Sequence, residues 1–462
     1  MAEHVRVWIG GKPYSTDSME YDYFAHHLSQ RSVFAPLVSA YTRGDYTGII
    51  ADTWEVSDDF REWKFHIRPG LSYEDGHPIT AETVRLALTR IAFLLKKRGS
   101  NAGVVEHFVG SENITNASSP FEGLRVSNDN IILTFKTPMK DLLDKISFGI
   151  YSITHPDDFN HDTGKWTNST GAKSSGAYRI SYWDDHKLQL SKRSEFPPGI
   201  RDDGAADEIH LMWDPEKKDG SDLIVGADYE NYSSAYDFYG PSKKSNIIYL
   251  HCVSWKNPNS PCFEKDNRVL ARNRIYKELK KSGVFDTTSF FPLSIPGVEN
   301  FDFNDSELAR ANGSVRVRQV PIKSRIHDGL YHALDIAFEG QTKVELSSDQ
   351  LRAELDPDLP DHNVDIMVIR TGILIEAPAH DIKFMVNSKE GIRLPDPTGR
   401  LKEITNRRDF SPQEVNAQLW EDAIIFPVAH ITKGIWARRG DFDFSRLNLT
   451  QPPIDFSWLG VK

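Results

Sequence analysis

Cysteine is almost missing from this chain: its 462 residues contain two, Cys252 and Cys262, both inside the segment HCVSWKNPNSPCF. That scarcity excludes a disulfide-dense scaffold and any zinc site built from several cysteines. Two thiols this close in sequence, with Pro258 and Pro261 between them, fit one small disulfide loop in an oxidising compartment, and fit two buried free thiols nearly as well. Long apolar runs are missing too. No stretch approaches the ~20 consecutive apolar residues that span a bilayer, and no positively charged, then apolar, leader opens the chain. The start fits a mature secreted domain given a new Met1 and fits a cytosolic start equally well. Positive charge is in deficit: 55 Lys and Arg against 66 Asp and Glu give a net charge of −11, which argues against a nucleic-acid backbone as partner. The local clusters Lys96-Lys97-Arg98 and Lys277, Lys280, Lys281 read as solvated helix ends.

Catalytic patterns are equally sparse. The chain has no nucleophile elbow, no His-Glu-x-x-His helix and no dinucleotide glycine pattern. A phosphate loop needs Gly, four residues, then Gly-Lys-Ser/Thr without interruption, because successive backbone N–H groups must wrap the phosphates. Trp166 breaks the attempt at Gly164-Lys165, and Ala172 breaks the one at Gly171-Ala172-Lys173-Ser174. His26 and His27 are adjacent, so on a helix they point about 100° apart and cannot grip one metal ion together. The expectation is a protein with no cofactor, no metal and no enzymatic activity.

What is present is an ordinary globular composition, 39% hydrophobic and 26% charged, in a chain long enough for two or three domains. The most informative stretch is 49–91. Trp63, Phe65 and Ile67 alternate with Lys64, His66 and Arg68 in the period of a half-buried strand. Arg68-Pro69-Gly70 ends it, Leu71 to Tyr73 is extended, and Glu74-Asp75-Gly76 is a turn. Thr80 is an N-cap with Glu82 in the first turn of a helix whose Val84, Ala87, Leu88, Ile91 and Leu95 form one apolar stripe.

This order of features resembles the oligopeptide, dipeptide and nickel family of solute-binding proteins that serve ABC importers. Family positions fall on Ile50-Ala51-Asp52-Thr53-Trp54, Phe65-His66-Ile67-Arg68, Tyr73-Glu74-Asp75-Gly76 and Thr80-Ala81-Glu82-Thr83-Val84. Further along, Phe121 to Val126 and Ile131 to Phe135 read as a hairpin over Ser127-Asn128-Asp129-Asn130, with Pro138 ending the second strand. Ser174-Ser175-Gly176-Ala177-Tyr178 stands where the family has Gly-Thr-Gly-Pro-Tyr, so Gly176 and Tyr178 match while Ser174 and Ala177 depart. The tail also fits: Glu421-Asp422 closes a helix, Ile424 to Val428 is a strand, and Trp436 to Lys462 returns to the first lobe.

The resemblance implies an α/β fold of periplasmic-binding-protein (Venus-flytrap) type, with two mixed-sheet lobes. Lobe I is expected over 1–248 and 432–462, with an extra scaffold subdomain at about 45–165, and lobe II over 249–431. A hinge of two crossing strands is expected near Ile248 and Ile431. The implied function is capture of a peptide or peptide-like ligand between the lobes and delivery to an ABC permease, by a monomer, in the periplasm or extracellular space. The alternative is a ligand-sensing domain of the same fold that binds a sugar or a metal chelate.

Candidate ligand residues follow the same logic. The loop after the strand Val5 to Ile9 lines the cleft in the family, which puts forward Tyr14, Ser15 and Asp17, although Ser18 stands where a Pro is usual; an ordinary Gly/Pro turn fits the loop equally well. After Gly226-Ala227-Asp228, Tyr229, Glu230 and Asn231 offer an aromatic face and groups that donate and accept, and a solvated turn is an equal reading. Trp255 and Arg370 are the further candidates in lobe II. Peptide-binding relatives anchor the ligand's α-amino group with an Asp, and here Leu374 takes that place, leaving Glu376 as the nearest carboxylate. Between Phe24 and Val38 the apolar spacing predicts a helix over 21–41, bent near Pro36.

Overall fold

The structure is a computed structural model. It describes every residue except 1–3, 14, 20–23, 43–44, 98–103, 169–170, 197–203, 229–233, 241–245, 307–308, 321–324, 347, 357–358, 360, 373–381, 384, 387–392, 408 and 448–454. The chain divides into two compact units, Met1–Gly240 with Gly434–Lys462, and Pro241–Lys433.

The first unit holds two main sheets. The larger has seven strands in the order Tyr236–Tyr239, Lys433–Arg438, Leu223–Asp228, His4–Ile9, Glu208–Met212, Lys187–Lys192, Tyr178–Trp183. Its middle is parallel, His4–Ile9 lying between Glu208–Met212 and Leu223–Asp228, and the Lys187–Lys192 and Tyr178–Trp183 strands run antiparallel to their neighbours. Val5, Val7 and Ile9 are buried, as a central strand demands. The smaller sheet orders Ala51–Val56, Glu62–Ile67, Asn130–Thr134 and Leu124–Ser127, all antiparallel.

The module read from 49–91 forms as its chemistry requires. Trp63, Phe65 and Ile67 are buried while the intervening residues face outward, and Asp52 pairs with His66 and Glu55 with Lys64 across the strands. Helix Ala81–Lys97 begins where Thr83 N–H donates to the Thr80 hydroxyl at 3.3 Å, and its five stripe residues are all buried. Gly176 is needed for a steric reason: a Cβ there would stand 2.6 and 2.8 Å from the carbonyl oxygens of Ser32 and Val33.

The helix expected over 21–41 is shorter. It spans Phe24–Arg31, and Val38–Thr42 is instead a strand paired with Asp45–Gly48. Pro36 lacks an N–H and disfavours helical geometry at Ala35, so the helix ends before it, and Val38, Tyr41 and Thr42 are good strand formers.

The second unit is built on one five-stranded sheet ordered Gly340–Val344, Ser314–Arg318, Ile366–Gly372, Asn246–Cys252, Ile425–Ile431. Helices Lys265–Ser282 and Arg325–Ala337 cover one face with Ile248, Leu250 and Cys252; Phe290, Phe291 and helix Pro412–Asp422 cover Ile247 and Tyr249 on the other. Both faces are apolar, so the strand Asn246–Cys252 is buried along its whole length.

The chain passes between the units twice, and in each unit the two passing segments are neighbours. In the second unit Asn246 pairs with Ile431; in the first, Tyr239 pairs with Ile435. The return passage is the single residue Thr432, between the strands Ile425–Ile431 and Lys433–Arg438. Gly434 lies under Tyr239 so closely that a Cβ would fall on the Tyr239 carbonyl oxygen and 2.6 Å from the Phe238 ring. Gly434→Val is therefore expected to destabilise the first unit by about 1–3 kcal/mol, read as a lower urea midpoint; an unchanged midpoint would contradict the close approach.

Candidate functional site

In the first unit the loop after strand His4–Ile9 is held from several sides. Thr16 Oγ1 donates to the carbonyl of Asn168 at 2.6 Å and accepts from Trp166 Nε1 at 2.8 Å. Gln30 Nε2 donates to the Ser15 carbonyl at 3.2 Å, and Ser15 Oγ accepts the Asp17 N–H at 3.0 Å. Asp17 is itself committed. Its Oδ1 accepts the Met19 N–H at 3.0 Å and its Oδ2 takes Arg90 Nη2 at 2.6 Å. Arg90, on helix Ala81–Lys97, is wholly buried; it lies 5.1 Å from the ring centroids of both Phe159 and Trp166 and donates Nε to the Gly164 carbonyl at 2.9 Å. A buried guanidinium without a counter-charge is costly, so the carboxylate beside it is a structural requirement. Asp17 is buried and Ser15 is partly exposed.

In the second unit, the strand Asn246–Cys252 ends in a turn over 253–256 that carries Trp255, half-buried, to a small recess of about 10 Å³, room for about one water. His251, Val253, Glu354, Leu355, Arg393 and Pro395 complete its lining. Its acid is fixed from behind: Glu354 Oε2 pairs with His362 Nδ1 at 3.0 Å, and Oε1 accepts both the backbone N–H and Nδ2 of Asn363 at 2.7 Å. Burial alone would raise the Glu354 carboxyl, but the His362 and Asn363 hydrogen bonds outweigh it and hold the group below its usual value. Burial, with His362 nearby, holds the His251 imidazole down at about 3, so it is neutral at physiological pH. Because that is below the ordinary histidine value of 6.5, its contribution to stability is present above 6.5 and is lost as pH falls towards 3. The recess thus offers an aromatic face, a neutral imidazole, the Arg393 cation and an already satisfied carboxylate. Arg370 is half-buried in strand Ile366–Gly372, opposite Ile248.

Tyr14, Tyr229, Glu230, Asn231 and Glu376, with Leu374, lie outside the described residues. Among the sequence candidates the structure therefore places Ser15 and Asp17 in the first unit and Trp255 and Arg370 in the second. Cys252 and Cys262 are free thiols, both buried. Among the described residues no group of three His, Cys, Asp or Glu side chains could hold a metal ion, and no helix is long and apolar enough to cross a membrane. Sequence reading missed His251, Glu354, Arg393 and Arg90. Nothing local marks the first three as partners, since about a hundred residues separate His251 from Glu354, and Arg90 lies 73 positions from Asp17.

Residues 45–212 match the family model described as bacterial extracellular solute-binding proteins, family 5 Middle. The middle of this chain is therefore similar to the family-5 solute-binding proteins. All four motifs quoted from 50–84 fall inside it. One stretch of 47 residues is 40% identical to the probable D,D-dipeptide-binding periplasmic protein DdpA of Escherichia coli (strain K12), covering 10% of this chain and 9% of that protein. Structural likeness extends over nearly all of the chain. The murein tripeptide binding protein MppA of Escherichia coli aligns over 99% of this chain and 98% of its own, with a TM-score of 0.73 at 12% identity. The periplasmic oligopeptide-binding protein OppAIV of Borrelia burgdorferi aligns over 99% and 100%, with a TM-score of 0.74 at 15% identity. NikA of Brucella suis, solved with Fe(III)-EDTA, aligns over 99% and 100% at 0.66 and 14%. At such identities these likenesses show the fold alone, the mixed α/β architecture of periplasmic binding proteins.

Asp17→Asn is expected to lower stability by about 3 kcal/mol or more in urea unfolding without any ligand present, because Arg90 would stay buried and unneutralised; an unchanged midpoint would return Asp17 to the list of ligand contacts.

Proposed function

We propose that this chain is an extracytoplasmic solute-binding protein that captures a small peptide or peptide-like ligand and delivers it to an ABC-type permease in the membrane. The observation that carries this reading is the family-5 segment at 45–212, set in a chain whose fold follows peptide-binding proteins of that type along its whole length. The double connection supports the mechanical side. Two adjacent strands joined by a one-residue return can bend and twist together, which is what a hinge needs, while sliding is restrained by the ladders on both sides. Ligand binding shifts the open and closed populations by no more than its differential affinity for the two forms, and the permease reads the closed form.

In this reading the chain performs no reaction on its ligand, acts as a single copy, binds no nucleic acid and works in the periplasm or extracellular space, at the membrane only through its permease. Peptides are the class to test first: the curated relative is named for D,D-dipeptides and two of the structural relatives for peptides. Leu374 at the anchoring position means that a free α-amino group is not held there by an aspartate, and Glu376 is the carboxylate nearest in sequence to do so. Trp255 supplies an aromatic face in the second unit.

A thermal-shift panel of di- to pentapeptides, sugars and metal chelates tests the reading. A bound peptide at a hundredfold excess over its Kd is expected to raise the Tm by about 3 °C. Stabilisation by a sugar or a chelate, with no response to any peptide, would overturn peptide capture in favour of a sensor of another solute.

A further inference from the structure

Cys252 ends the strand Asn246–Cys252 opposite Ile366, and its N–H donates to the Ile424 carbonyl at 2.9 Å. Cys262 stands at the far side of the turn segment, with its Sγ 3.7 Å from the carbonyl oxygen of Asp365, the residue before Ile366. Both cysteines thus stand beside the same end of strand Ile366–Gly372, in one apolar cluster. Neither side chain is exposed.

The chain between them is tied across its base. Ser254 Oγ and Ser260 Oγ both reach Asp365 Oδ1, at 3.0 and 2.9 Å, and are hydrogen-bonded to one another at 2.5 Å. Arg316 holds the same carboxylate through Nε and Nη2, each at 3.1 Å. The ends of the 252–262 loop are therefore brought together before any covalent bond forms, which removes most of the ordering that ring closure would otherwise require.

We infer that Cys252 and Cys262 are a redox pair that closes to an intrachain disulfide by thiol–disulfide exchange with a low-molecular-weight disulfide. In the first step one cysteine thiolate attacks the external disulfide and expels one thiol, leaving a mixed disulfide. The second cysteine thiolate then attacks its neighbour's sulfur and expels the other. Two S–H bonds are lost and one S–S bond forms; the two electrons reduce the external disulfide to two thiols, which take up the two protons. The inference does not depend on which ligand the protein carries.

The neighbouring Cys252 and burial push the Cys262 thiol well up, so thiolate at Cys262 is scarce in the folded chain. Exchange is then slow once the core has closed and fast while the segment is still open. The pair consequently keeps the oxidation state under which the chain folded. In the oxidised form the turn that carries Trp255 is covalently closed.

The full chain refolded from denaturant in oxidised or in reduced glutathione tests this, with intact mass and peptide mapping after alkylation of the unfolded products. Oxidised refolding is expected to give a monomer lighter by two hydrogen atoms, unreactive to alkylation, with one cross-linked peptide pair containing positions 252 and 262. Reduced refolding should give two alkylatable thiols, and the folded reduced chain should convert in oxidised glutathione at least about tenfold more slowly than the refolding chain, given the scarcity of thiolate. Cys252→Ser refolded in oxidised glutathione should leave Cys262 as a free thiol or a glutathione adduct, without the cross-link. Two free thiols in the wild-type chain after oxidised refolding, stable glutathione adducts on it, or intermolecular dimers would each overturn the inference.

Discussion

Two backbone pairings, Tyr239 with Ile435 and Asn246 with Ile431, constrain everything else in this protein. They make the two passages of the chain neighbours in both units, and they leave one residue, Thr432, as the whole of the return. Each unit has its own sheets and its own apolar core. Gly434 shows how tightly the arrangement is drawn: any side chain at that position would collide with the strand beside it. The proposed capture of a ligand by closure would use this paired connection as its hinge.

Within the first unit the buried Arg90 plays a second organising role. Its guanidinium is held between Phe159 and Trp166, faces Asp17 and donates to the 164 carbonyl, so one cation ties together the loop after the first strand, the helix Ala81–Lys97 and the 159–166 segment. Exposed ion pairs such as Lys64–Glu55 contribute little by comparison, because water and salt screen them. The Arg90 contacts thus serve packing between these three segments.

How much of this was legible in the sequence varies with the range of the interaction. The 49–91 module was readable because its determinants are local: alternation at Trp63, Phe65 and Ile67, a turn at Asp75-Gly76, a capped helix at Thr80. The apolar spacing over 21–41 misled because one Phe and Leu pattern continues across Pro36, where the backbone cannot. The Asp17–Arg90 pair could not be read because the two residues lie 73 positions apart on different elements. The recess of His251, Trp255, Glu354 and Arg393 was invisible for the same reason, as each residue is unremarkable in its own stretch. Local periodicity recovers elements, whereas sites assembled from distant segments need the fold first.

Small-angle X-ray scattering of the chain, with and without a saturating peptide, tests the central claim most directly. Capture with hinge closure predicts a smaller radius of gyration and one peptide bound per chain. Peptide binding that left the scattering profile unchanged, or no peptide binding at all, would contradict it.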